Sequence, residues 1–151
     1  MTKLLTTIAL IGVAVVPLIQ DTGNTHLLNS LWDAHARTHL VWLISSNFLI
    51  FILAIYLLWF KNKELLAALL SLCMLIGYDI SVITMPFYDG VALGEGGVEP
   101  KPFGVPINLI HFNVMLIIQI TSLFLILIKK KIEPYERRRF QCYKISRLSK
   151  I

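Results

Sequence analysis

Charge is scarce in this chain. Only 15% of its 151 residues are Asp, Glu, Lys or Arg, whereas a soluble domain carries about 25%. Low hydrophobicity is missing as well. Apolar residues make up 56% of the sequence and mean hydropathy is +0.72. Disorder is excluded for most of the chain, and a water-soluble globule would have nowhere to hide so much apolar surface. Cysteine is limited to Cys73 and Cys142, with no CxxC pair. Thiol–disulfide exchange and a thiolate zinc site are therefore poor readings. There is no GxSxG elbow, no Walker motif, no internal repeat and no low-complexity tract. What remains is a single all-α integral membrane domain.

Four apolar segments are present, at about 4–20, 40–60, 65–88 and 105–128. A spanning helix needs roughly 20 residues. The last three segments satisfy this, and the first is slightly short, with Lys3 and Gln20 placed to reach the interface. Lys3 and the apolar run after it also fit a signal peptide. No A-x-A cleavage site follows Val15-Val16-Pro17, so a retained helix is expected. The plan is a four-helix bundle, with outer loops at 21–39 and 89–104 and a basic tail at 129–151.

The basic residues orient this plan. Lys3, Lys61, Lys63 and the nine basic residues from Lys129 to Lys150 make 12 of the 14; only Arg37 and Lys101 lie on the other side. The asymmetry predicts cytoplasmic termini and an even number of spans, in the inner membrane of a cell. The tail is read as an anchor to anionic lipid headgroups and not as a nucleic-acid binder, since it has no recognition motif. The second outer loop, DGVALGEGGVEPKPFG, combines glycines with two prolines and a net charge of −2, which predicts a turn-rich cap.

All four histidines fall on the outer side. His26, His35 and His39 lie in or beside the first outer loop, and His111 lies about 9 Å inside the fourth helix at 1.5 Å per residue. Asp79 lies in the outer half of the third. An ionised acid in a span costs roughly 2.5–3.5 kcal/mol, so it normally has a partner; His111, Arg37 and Tyr78 are the candidates. If the second helix begins near Trp32, ahead of the apolar run, His35 and His39 lie at i and i+4 on one face, and two imidazoles one turn apart can share a metal ion. With carboxylates nearby, zinc, iron, copper or manganese would suit. An interfacial belt of His, Trp32, Trp42 and Arg37 at headgroup depth is the other reading of the same residues. A haem held by His39 and His111 on opposing helices is compatible too.

Two polar stripes point inward. Asn108, His111, Met115, Gln119 and Ser122 share one face of the fourth helix, and Ser71, Met74, Tyr78, Ser81 and Met85 share one face of the third. Ser71, Gln119 and Ser122 read as helix-packing residues. Asn47, Tyr78, Asp79, Asn108 and His111 read as the lining of an outward-facing pocket for a small amphiphile.

The segment Thr25-His26, Asn29, Trp32, His35-Ala36-Arg37 and His39-Leu40-Val41-Trp42 resembles a signature of small uncharacterised bacterial four-helix membrane proteins. That pattern often has prolines where this chain has Ser30 and Asp33-Ala34. The resemblance implies the four-helix plan and the importance of the segment, and nothing about a reaction. In outline the chain is also similar to sterol-isomerase-like and DoxX-like membrane proteins. Histidine-rich membrane desaturases need about eight histidines, and quinone reductases that form disulfides need paired outer cysteines; neither set is present.

The expected site thus assigns Asp79 and His111 to acid–base catalysis, and His26, His35, His39 and His111 to a transition metal or haem. Arg37, Asn47, Tyr78 and Asn108 are assigned to ligand binding, on a small lipophilic or redox substrate. The contrasting expectation is a non-catalytic accessory or scaffold subunit whose His and Asp residues serve helix packing. A transporter is a third, and four helices would then require a homo-oligomer.

Overall fold

The computed structural model describes residues 1–24, 26–92 and 100–148. These residues form helices and turns, with no strand among them. Helix α1 spans Thr2–Asp21, α2 Ala34–Trp59, α3 Glu64–Thr84 and α4 Ile107–Leu148. A 3-10 turn at Met85–Phe87, where Pro86 removes an amide donor, extends α3. All four helices are long and apolar enough to cross a bilayer, taking Ile107–Ile132 for α4. The chain has the character of a multi-pass membrane protein.

Burial is inverted relative to a soluble bundle. Thr6, Ser71, Gln119 and Ser122 are fully buried, while Trp42, Leu49, Ile83, Ile117 and Phe124 stand exposed. Apolar side chains need no cover in hydrocarbon, but polar ones do. Helix α1 is the packing centre. Its Ala9, Val13 and Ala14 meet Leu75 of α3, and its Leu10 meets Ala54 and Leu58 of α2 and Ala67 of α3. Small residues at these contacts let the helix backbones approach closely.

Helix α2 begins at Ala34, earlier than the hydropathy run suggests. Asp33 caps it, its Oδ1 accepting the His35 amide at 2.7 Å. His35 and His39 are therefore helical. The α2–α3 link is tight: Asn62 takes a left-handed conformation (φ 52°) and the Lys63 amide bonds the Leu57 carbonyl at 2.8 Å. Helix α4 continues through residue 129 into the basic tail, as far as Leu148. Lys and Arg are good helix formers, so the change in polarity does not end it. Thr25, residues 93–99 of the expected cap and Lys150 of the tail lie outside the described residues.

Thr2 and Lys129 both bond Glu64, so the starts of α1 and α3 and the apolar limit of α4 share one end. This is called the basic end below. The opposite, loop end carries His26, His35, His39 and His111.

Candidate functional site

The loop-end half of the bundle is organised by a defect in α1. Residues Ile11–Val15 form a π-helical turn, and the Val16 amide bonds back to the Ile11 carbonyl. The next residue, Pro17, has no amide hydrogen. The Gly12 carbonyl is therefore deprived of both possible donors within its helix: Val16 is already used and Pro17 has nothing to give. His111 of α4 supplies the missing bond, with Nε2 2.9 Å from the Gly12 oxygen. A carbonyl only accepts, so Nε2 carries the proton. In a span, freed backbone groups must be met by neighbouring helices. Helix α4 approaches closely at Gly12: a Cβ there would displace the Met115 side chain and sit in van der Waals contact, 3.5 Å, with the His111 ring.

Aromatic rings extend this contact to α3. Phe112 stacks on Tyr78 with centroids 3.8 Å apart and planes at 13°, and meets His111 edge-on at 5.4 Å. Asp79 lies beside Tyr78 and is half-buried. No hydrogen bond or ion pair reaches it among the described residues. Each of its three expected partners is turned elsewhere: His111 to Gly12, Tyr78 to Phe112, and Arg37 to the Trp32 carbonyl. Asn108 donates from Nδ2 to the Ala92 carbonyl at 2.6 Å, tying the second loop to α4. Asn47 is half-buried on α2 and takes no part in these contacts.

The other three histidines belong to the first loop and the start of α2. His26 lies 3.8 Å from Asp21 and edge-on to Trp32 at 5.2 Å. Arg37 donates from Nε and Nη2 to the Trp32 carbonyl at 3.2 and 2.8 Å, closing the loop onto α2. His35 and His39 form an exposed pair with their Nε2 atoms 3.0 Å apart. Trp42 continues that face, tilted over His39 at 6.0 Å. The four histidines are thus distributed over three separate settings. Among the described residues, no three His, Cys, Asp or Glu side chains are grouped to hold one metal ion. The expected histidine cluster does not assemble, because His111 is turned into the bundle toward α1 while His35 and His39 face outward from α2.

The basic-end half holds polar contacts to which the histidine pattern gave no clue. Thr6 and Ser122 share a buried hydrogen bond of 2.8 Å, and Ser122 donates to the Thr2 carbonyl at 3.0 Å. Thr2 donates to Glu64 at 2.8 Å, and Lys129 completes that carboxylate at 3.4 Å. Lys3 bonds Asn62 at 2.7 Å, and the Trp59 indole donates to Thr7 at 3.1 Å. The signal for this layer was the run of threonines at positions 2, 6 and 7 in an apolar helix. Deeper in the bundle, the Gln119 amide is fully buried, and among the described residues neither of its ends is hydrogen-bonded. The buried Ser71 hydroxyl likewise has no partner among the described residues.

Chemically, the loop end offers the His35–His39 imidazole pair, the His26–Asp21 contact, the half-buried Asp79 carboxylate and the His111 imidazole, already bonded through Nε2. No family model, curated protein or solved structure matches the chain.

Proposed function

We propose that this protein is a non-catalytic accessory or scaffold subunit of the inner membrane, with the basic end and both termini in the cytoplasm. The observation that carries this reading is the bond from His111 to the Gly12 carbonyl. It gives the most deeply placed histidine a structural task, the repair of the helix defect at Pro17. The Thr6–Ser122 and Thr2–Glu64 contacts support the same view, since each joins two helices. In this reading Asp79 is the recognition group. A half-buried carboxylate in a span is retained at a cost of a few kcal/mol, and a cationic or hydrogen-bonding side chain on a partner helix would offset it. Beside it, the space over Gly77 is open, leaving room for a close helix. Asp79→Asn should leave the detergent melting temperature within about 2 °C while reducing co-purification of membrane partners. His111→Ala should lower the melting temperature and release no bound species. Loss of a bound metal or organic group from His111→Ala, with unchanged stability, would sink this assignment.

A second reading is favoured by one distance. The His35 and His39 Nε2 atoms, 3.0 Å apart on an exposed face, already have the spacing at which two imidazoles share one transition-metal ion with bonds of about 2.0–2.1 Å. A substrate or partner would then complete the coordination, and the site would act on a small redox or lipophilic molecule at the outer surface. Zinc or copper titration, read by calorimetry on the wild type and His39→Ala, tests it. Equal heats in the two proteins would exclude the pair.

A further inference from the structure

We propose that the groove between α3 and α4 at the basic end binds the headgroup of one anionic phospholipid, with an acyl chain running along its floor. The groove has a volume of about 470 Å³. Its rim carries Lys63, Lys129 and Lys130, and its floor is formed by Leu66, Leu69 and Ile126. Glu64 also lines it, but that carboxylate is engaged by Thr2 and Lys129. Three ammonium groups against one carboxylate leave two formal positive charges for a ligand. Helix α3 opens at this rim without a side-chain cap, so its first amides face the same region without a side-chain acceptor. The position selects a lipid over a soluble anion. The lysines lie where the apolar spans end, at headgroup depth, and directly beneath them Leu66 and Leu69 are 48% and 41% exposed. A phosphate at the rim and a hydrocarbon chain against these leucines match the two halves of the groove. Basic pockets between spanning helices on the cytoplasmic side are suited to acidic lipid headgroups.

The proposal is independent of the roles assigned to His111, Asp79 and the His35–His39 pair, which lie at the other end of the bundle. It is also distinct from diffuse attraction of the tail to an acidic leaflet, because it requires a defined stoichiometry. The test is native mass spectrometry of the full chain released from micelles containing equal amounts of phosphatidylglycerol and phosphatidylcholine. One phosphatidylglycerol adduct is expected in preference to phosphatidylcholine. Lys63→Gln with Lys130→Gln should weaken that adduct by about five-fold for each lysine, so roughly 25-fold together. The control Lys61→Gln with Lys131→Gln removes the same charge from the same end outside the groove, and should weaken it less than three-fold. Equal losses in the two double variants, or no preference for phosphatidylglycerol, would overturn the proposal. Displacement of the adduct by inorganic phosphate in equal excess would overturn the lipid assignment.

Discussion

Replacing His111 with Ala removes the donor that meets the Gly12 carbonyl, and the size of the effect can be worked from the defect itself. An orphaned acceptor inside the bundle costs about 1–3 kcal/mol. Loss of the edge-on contact with Phe112 adds to this, since aromatic pairs contribute about 0.5–1.5 kcal/mol. A total near 3 kcal/mol corresponds to a drop of about 6–12 °C in melting temperature for a chain of this size. Pro17→Ala supplies the decisive second perturbation. It returns an amide hydrogen to α1, so the helix can rewind and the Gly12 carbonyl can be met within its own chain. The cost of His111→Ala should then shrink by about 1–2 kcal/mol, a coupling of the size expected for directly interacting sites. The assay is reversible unfolding of the two single variants, the double variant and the wild type in mixed micelles, followed by circular dichroism. Additive costs, within about 0.5 kcal/mol, would refute the view that His111 serves the defect at Pro17.

Three more outcomes follow from the same contacts. Gln119→Leu should raise the melting temperature, because the buried amide has no hydrogen bond to lose among the described residues and its desolvation is uncompensated; a fall in thermal scans would mean that the amide meets a ligand or water. Ser122→Ala should destabilise by about 1–2 kcal/mol in the same unfolding assay, since the Thr6 hydroxyl and the Thr2 carbonyl both lose a partner; a neutral result would remove Ser122 from the clamp. In a Cys73→Ser background, Cys142 should resist a membrane-impermeant maleimide in intact cells, whereas a cysteine placed at Asn24 in a cysteine-free chain should react. The reverse pattern would invert the proposed orientation.

The four helices of spanning length were legible because twenty or so apolar residues in succession have few other uses. The start of α2 was less so. Asp33 reads as a cap only once its oxygen is seen on the His35 amide, and hydropathy alone marks the later, purely apolar stretch. The role of His111 was not legible. Pro17 and Gly12 announce a weak point in α1, but the donor that answers it lies 99 residues away, and only inter-helix packing brings it there. Clustering of titratable residues at one end suggested a single site. Helix rotation separates them, turning His111 inward and His35 and His39 outward, and rotation about the axis is weakly encoded when a helix is apolar on every side, as α2 nearly is. Ser122 was legible as a packing residue, but its partners in the Thr2–Thr6–Ser122–Glu64 layer were hidden for a related reason. Hydroxyls in spans are common, and their partners are set by packing.

The most direct test of the account is the metal and haem content of protein purified without a histidine tag or chelator, measured for the wild type, His111→Ala and His39→Ala. If His111 is a structural donor and the protein an accessory subunit, no variant carries more than about 0.1 equivalent, and only stability changes. One equivalent lost in His39→Ala alone would transfer the function to the outer imidazole pair. One equivalent lost in His111→Ala would contradict the central claim.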